Sequence, residues 1–486
     1  MTKVNKLYKR VALPIKVMQF GEGNFLRAFV DYGIDVANEE LGFNSNVAII
    51  IPIPGKPTRF ADQDNIYTVC LRGQKNGKPY EEDRVVTCLE KVLSAYEDYN
   101  AFMELAHLDT LEFVVSNTTE AGITFKNNDK IEDCPPNTFP AKLTKFLFER
   151  YTFYQGAIDK GLTMMPVELI EKNGENLKKC VFQYADLWKL DNAFKSWLEE
   201  SCIFASTLVD RIVTGYPRQE AADMCKALGY EDELLDKAEP FGLWVIGDAR
   251  IADKFKVSSS KWDVEFTDQI EIFKERKVRI LNGAHTSMVL GAYLAGMDYV
   301  GQCMADPVIR TQLEQSVFDE IVPTVHMPQE KAAAFAHAVF ERFENPFVNH
   351  ALLSISLNSI SKWQARVLPS LKDSLANTGK LPKWLTYSLA ALLAFYKTTE
   401  VGDTCLIGSR GSNTYEVHDD ADKLAFIRDH ANASNSDYAH AVMSRSDFWG
   451  EDLTQIVGFA DAVIDHLNRI AEVGIKDHIE ELGKQA

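Results

Sequence analysis

A chain of 486 residues is long enough for two or three domains at roughly 100–200 residues each. Its composition, 46% hydrophobic and 25% charged, excludes a disordered or fibrous chain. The formal charge of −18 repels a phosphate backbone and argues against nucleic acid as a general partner, while leaving room for a local basic pocket that holds a small anion. No run approaches the roughly 18–20 apolar residues that span a bilayer, so no membrane association is expected. The N-terminus lacks the apolar core of a signal peptide. The 8 cysteines are dispersed, with no CxxC pair, and read as reduced thiols of a cytoplasmic protein. No HExxH and no Cys/His cluster with zinc spacing is present, so no metal site is expected from a local motif.

In chain order, Lys16–Phe20 is a short strand-like run that leads into Gly21-Glu22-Gly23 and then into apolar residues at helical spacing, Phe29, Ile34, Ala37 and Leu41. Asn46–Ile53 (NVAIIIPI) is almost wholly apolar, as expected of a strand covered on both faces. Leu111–Ser116 (LEFVVS) and Leu162–Val167 (LTMMPV) are further strands. Strands that alternate with helices predict a parallel α/β sheet. From about Asp268 onward the apolar spacing turns helical, around Met288, Tyr293 and Val300, then Ala332–Phe343, Leu385–Tyr396 and Ile456–Ile470. The break falls in the polar stretch Val257–Asp268, which gives two domains, 1–268 and 269–486.

The order strand, Gly21-x-Gly23, helix is that of a phosphate cradle. Glycines permit a tight turn and close backbone approach, and the helix start offers free N–H groups to a pyrophosphate. The third glycine of the usual fingerprint is absent, and Arg27-Ala28 occupies that region. A purely structural turn accounts for a bare GxG equally well, but its place at the start of a βαβ unit favours a cofactor. No acidic residue for the ribose ends the second strand, which runs out as Pro52-Ile53-Pro54-Gly55-Lys56, so this segment leaves NAD and NADP both open.

The stretch Lys277–Ser287 (KVRILNGAHTS) groups Lys277, Asn282 and His285 within an arc of about 140° on an ideal helix. These types suit hydride transfer at a carbon that bears a hydroxyl. A lysine can take the hydroxyl proton, an asparagine amide can donate to the developing oxyanion, and a histidine can bind a neighbouring hydroxyl. A solvated lysine beside Lys274, Glu275, Arg276 and Arg279, and a core histidine, account for the same spacing.

These residues, with others, resemble the mannitol dehydrogenase family of polyol-specific long-chain dehydrogenases. The carriers are QFGEGNFLRAF at Gln19–Phe29, SNTTEAGI at Ser116–Ile123, PVELIEKNG at Pro166–Gly174, STLVDRIVTGYP at Ser206–Pro217, LWVIGD at Leu243–Asp248, KVRILNGAHTS at Lys277–Ser287 and LNSISKWQARVLPSL at Leu357–Leu371. The resemblance covers nearly the whole chain and is closest to the uronate branch. It implies a metal-independent, NAD-dependent secondary-alcohol dehydrogenase with an N-terminal Rossmann-type domain, a mostly α-helical C-terminal domain and an active site between them. It implies Lys277 as the acid/base, Asn282 as an oxyanion donor, His285 as a substrate ligand and Asp210 as a proton relay. Cofactor contacts are expected from Gln19, Phe20, Gly21, Glu22, Gly23, Asn24, Phe25 and Arg27, and from Thr118, Thr119 and Glu120.

One departure bears on the substrate. Polyol members carry a second oxyanion asparagine where this chain has Leu169. That disfavours mannitol or fructose and points to a sugar acid, whose carboxylate needs cations. Lys362 and Arg366, one helical turn apart, and Arg211 are the candidates, with Lys172 beside them. Structural ion pairs would produce the same cations. The implied activity is the interconversion of altronate and tagaturonate in hexuronate breakdown. A sibling acting on mannonate/fructuronate or a polyol is the alternative, and a non-catalytic dinucleotide-binding regulator is the reading from another class. The oligomeric state stays open between monomer and dimer.

Overall fold

The computed structural model describes residues 1–119, 121–347 and 349–485. The chain divides into two compact units, Met1–Ile270 and Glu271–Ala486.

The first unit is built on a six-stranded sheet. Its strands are Ile15–Phe20 (β1), Asn46–Ile51 (β2), Leu89–Ser94 (β3), Phe113–Ser116 (β4), Thr163–Pro166 (β5) and Ile203–Phe204 (β6). Their order is β3-β2-β1-β4-β5-β6, with every neighbouring pair parallel. This is the doubly wound arrangement with a switch point between β1 and β4, where such sheets bind ligands at the carboxyl ends of the strands. The apolar runs follow from it. Side chains alternate faces along a strand, so Val17, Val47, Ile49 and Val115 serve one core, while Met18, Ala48, Ile50 and Val114 serve another on the opposite face. All six residues of β2 are buried. One continuous helix, 24–41 (α1), follows β1, with a π-helical turn at Arg27–Asp31. Phe139–Phe153 (α2) and Asn173–Leu187 (α3) pack together over the second core.

Two smaller sheets complete the unit, and the apolar patterning does not anticipate them. Tyr67–Lys75 and Lys78–Val86 form an antiparallel hairpin across the turn Asn76-Gly77, which joins Asp236–Ala238 and Val213–Gly215 in a four-stranded sheet. Both turn residues have positive φ, 55° and 68°, the conformation that tight hairpins demand. Thr207–Asp210, Leu243–Ile246 and Asp263–Phe266 make a mixed three-stranded sheet.

The second unit is mainly helical. A helix over 270–294 (α4) contains the π turn Lys277–Asn282 and continues as Gly283–Leu294. It packs on Ser359–Arg366 (α6) and Lys383–Tyr396 (α7), with Gln329–Phe343 (α5) between α4 and α6 in sequence. Twelve of the fourteen residues of α7 are buried, as befits a helix that is apolar all round. Sequence patterning overlooks an antiparallel sheet here of Glu400–Val401, Leu406–Arg410 and Asn413–Val417. No helix among the described residues is long and apolar enough to cross a membrane.

Candidate active site

In the first unit, a cavity of about 390 Å³ opens at the carboxyl ends of β1, β2 and β4. Gly21, Glu22 and Gly23 line it, together with Pro52, Ile53, Asn117, Thr118, Thr119 and Lys126. Gly21 has φ 113°, and a Cβ there would lie 3.0 Å from the Asn117 carbonyl oxygen. Only glycine takes this conformation without strain. Gly23, the N-cap residue of α1, is exposed, and a Cβ there would meet nothing within 4 Å. The turn thus presents the start of α1, with open space before it, to an anionic group. These features fit the pyrophosphate of a dinucleotide.

The other expected cofactor contacts divide. Gln19 and Phe20 are fully buried. Gln19 donates to the Gly21 carbonyl at 3.1 Å and supports the turn from beneath, while Phe20 packs against Phe102 and Phe139 in the core. Phe25 stacks on Phe29, with ring centroids 5.0 Å apart. Arg27 departs from expectation. Its guanidinium is buried and donates to the Leu234 carbonyl at 2.6 Å and to Asn24 Oδ1, with Asp236 at 3.5 Å. It braces α1 from inside and is not free to reach a phosphate. Thr118 and Thr119 line the cavity, Thr119 with φ 76°. Glu120 lies outside the described residues.

A residue without a role in the sequence reading shapes this loop. Glu168 is buried and accepts from Ser116 Oγ at 3.0 Å, Thr118 N–H at 3.0 Å and Thr118 Oγ1 at 2.9 Å. Burial raises its pKa, against the opposing pull of these donors. It sits in PVELIEKNG, where its neighbour Leu169 is exposed and supplies no polar donor.

Arg211 is likewise committed to the fold. It donates to the carbonyls of Phe241, Ala28 and Pro240 at 2.9, 2.7 and 3.1 Å, and lies 4.9 Å over the Tyr32 ring. Buried and held by three backbone carbonyls, this guanidinium serves the fold, contrary to its expected role as a ligand of the substrate carboxylate. Lys172 is exposed and pairs with Glu175. Asp210 is buried at the end of Thr207–Asp210.

In the second unit, Lys277, Asn282 and His285 fall on α4, but not on an ideal helix. Lys277–Asn282 is π-helical. In an α-helix, residues five apart diverge by about 140°. One i→i+5 turn instead stacks them on the same side, so the π turn brings Lys277 into line with Asn282. His285 follows three residues on, within about 60° of Asn282. The Asn282 side-chain amide makes no hydrogen bond among the described residues, and the Asn282 backbone carbonyl accepts from Thr286 Oγ1. His285 stacks on Phe343, with centroids 4.2 Å apart, and meets His350 edge-on at 5.3 Å. Its Nε2 is buried without a partner. Burial, reinforced by the positive charges of His350, Arg342, Arg366 and Lys362, holds its pKa well below the ordinary histidine value. The imidazole is therefore neutral at neutral pH.

Helix α6 lies close against this segment, for a Cβ on Gly283 would sit 3.2 Å from the Arg366 carbonyl oxygen. It carries Lys362 and Arg366 to the neighbourhood of His285. Lys362 Nζ donates to the Ile355 carbonyl at 2.9 Å. Arg366 reaches Thr286 Oγ1 at 3.5 Å. No carboxylate among the described residues forms an ion pair with either. Burial lowers both pKa values, and for Lys362 the charge of Arg366 adds to it. The nearest acid to act on Lys362 is Asp419, whose carboxylate is already paired with Lys423, and two partly buried cations with no direct ion pair of their own suit an external anion.

A doubly wound dinucleotide fold and a separate helical unit with a Lys-Asn-His constellation define a dehydrogenase of two domains. The chain belongs to the mannitol dehydrogenase family: residues 15–259 match the mannitol dehydrogenase Rossmann domain and residues 269–471 the mannitol dehydrogenase C-terminal domain. It is 43% identical over 479 residues to an altronate oxidoreductase of Klebsiella pneumoniae strain 342, covering 96% of this chain and 97% of that protein. The altronate oxidoreductase of Shigella flexneri is 42% identical with the same coverage. Among solved structures, D-sorbitol dehydrogenase superposes with a TM-score of 0.79 at 20% identity, over 99% of this chain and 100% of that one. Mannitol 2-dehydrogenase of Pseudomonas fluorescens, solved with NAD and D-mannitol, gives 0.65 at 19%, over 99% and 96%. These two establish the shared fold.

Proposed function

We propose that the protein interconverts D-altronate and D-tagaturonate with NAD(H), as an oxidoreductase acting on a secondary alcohol of a sugar acid. The observation that carries this reading is the pair Lys362 and Arg366, cations with no direct ion pair to an acid among the described residues, on the helix packed against the Lys277–His285 segment. The full-length similarity to altronate oxidoreductases supports it.

The substrate carboxylate pairs with Arg366 and Lys362, which sets the sugar chain along α4. His285, neutral, hydrogen-bonds a hydroxyl through its unpartnered Nε2. Asn282 donates its free amide N–H to the reacting oxygen and stabilises the alkoxide as charge develops. Lys277 Nζ takes the hydroxyl proton in the oxidation and returns it in the reduction. The Gly21–Gly23 turn and the Thr118–Thr119 loop would hold NAD, which would supply the hydride acceptor or donor. No metal takes part in these steps. The reaction belongs to hexuronate breakdown in the cytoplasm, in keeping with eight unpaired cysteines. The test is NADH oxidation with tagaturonate, fructuronate and fructose offered in parallel. A clear preference for tagaturonate is expected.

A further inference from the structure

We propose that the hairpin of the second unit carries a binding site for a zinc-type divalent cation, formed by Cys405, Glu416 and His418 and separate from the catalytic groups. Leu406 pairs with Val417 across the antiparallel ladder. The same register sets Cys405 opposite His418, and Glu416, two residues earlier on the same strand, points to the same side as His418. The three donor atoms, Cys405 Sγ, a Glu416 carboxylate oxygen and a His418 ring nitrogen, all lie within 4.8 Å of one another. His418 Nε2 already meets Glu416 at 2.8 Å, and the buried Cys405 thiol makes no hydrogen bond among the described residues.

The donor set selects the ion. A thiolate, an imidazole and a carboxylate together suit Zn²⁺, with bonds of about 2.0–2.3 Å and a water as fourth ligand in a tetrahedron. Hard cations such as Mg²⁺ and Ca²⁺ prefer all-oxygen sites. Tetrahedral coordination at those lengths needs donors about 3.5 Å apart. The present spacing closes to that by small side-chain rotations, which Glu416 and His418, being exposed and part-exposed, can make. Binding displaces the thiol proton and any proton on His418, so affinity falls as pH falls. Thiolate and carboxylate together neutralise the divalent charge.

The site also has a structural consequence. The His418 carbonyl accepts from Asn358 N–H at 2.9 Å, and the Asp419 carboxylate accepts from Ile360 N–H at 3.3 Å and from the Tyr396 hydroxyl at 2.7 Å. The end of the hairpin thus holds the start of α6, the helix of Lys362 and Arg366, and a cation there clamps that junction.

The experiment uses the full-length protein, stripped with a chelator and titrated with Co²⁺, whose thiolate charge-transfer absorption reports a Co–S bond. One equivalent should bind with that absorption, and Zn²⁺ should displace it. Cys405→Ser should abolish the absorption and weaken binding by at least the roughly 10–100-fold that loss of an outer-shell partner costs. His418→Asn should weaken binding while the Co–S signal survives at high Co²⁺. Cys134→Ser, at the exposed cysteine, should change neither. Zn²⁺ should raise the melting temperature of the wild type and not that of Cys405→Ser, while the stripped enzyme keeps its turnover. Absence of stoichiometric binding, or a Co–S signal that persists in Cys405→Ser, overturns the assignment.

Discussion

Replacing Arg366 with alanine removes one of the two cations that face the proposed carboxylate. The guanidinium makes a single long contact, 3.5 Å to Thr286 Oγ1, and pairs with no acid, so its loss strands no buried charge and the fold should stand. A unit ion pair at about 4 Å is worth roughly 4 kcal/mol at an effective dielectric of 20. Arg366 is only partly buried, and Lys362 remains, so solvent screening and the second cation reduce this. A loss of about 1.5–3 kcal/mol follows, or roughly 10- to 150-fold in kcat/KM for the sugar acid, mostly in KM. Lys362→Ala should cost less, because its ammonium is drawn to the Ile355 carbonyl. The assay is steady-state NADH oxidation with tagaturonate, beside a neutral ketose at high concentration, whose turnover should stay within about threefold. Equal losses for acid and neutral substrates would mean that Arg366 merely props α6. No loss for either would place the carboxylate elsewhere and refute the reasoning.

Three further outcomes follow from the geometry. Lys277→Ala should lower kcat by about 10²–10⁴-fold and flatten the pH profile of alcohol oxidation, with NADH binding intact; near-normal turnover would return Lys277 to the role of a solvated lysine. Gly23→Val should fold normally, since a Cβ there meets nothing within 4 Å, yet lose dinucleotide affinity by calorimetry, and unchanged affinity would exclude the turn as the cradle. Asp31 is fully buried, with burial, the largest influence, raising its pKa to about 7. Between about pH 4 and 7 the native state therefore retains a proton that the unfolded chain releases, and stability falls as pH rises through that window. Asp31→Asn can still accept from Tyr67 and Gln19, so its melting temperature should fall less between pH 5 and pH 8 than that of the wild type. Parallel curves for the two proteins would contradict this origin.

Much of the first unit is legible in the sequence, because a parallel strand buried on both faces leaves an unbroken apolar run, as β2 does. Most strands of the smaller sheets mix polar and apolar residues, and Lys78–Val86 has only Val86 fully buried, whereas Leu243–Ile246 is wholly apolar but only four residues long. The Asn76-Gly77 turn was the available signal. In the second unit, helical periodicity marks α5 and α7, whereas the three short strands 400–417 lack the length to show alternation. The constellation on α4 could be picked out by residue type, but an ideal-helix projection could not show that a π turn aligns Lys277 with Asn282. Residue type also cannot separate a waiting cation from a committed one. Arg211 and Arg27 look like Arg366 in sequence, and only their carbonyl and carboxylate partners, up to 207 positions away, show that they belong to the fold. The metal-type cluster was invisible for a similar reason, because Cys405 meets Glu416 and His418 only through the hairpin register.

The central claim, a sugar-acid dehydrogenase that works on tagaturonate, is tested most directly by one substrate panel. The purified protein is mixed with NADH and, in turn, tagaturonate, fructuronate and fructose, and the loss of NADH absorbance is followed. Rapid oxidation is expected with tagaturonate, weaker oxidation with fructuronate and little with fructose, since Leu169 offers no second oxyanion donor and fructose has no carboxylate for Arg366 and Lys362. Equal or faster turnover of fructose, or no turnover of either acid, would contradict it.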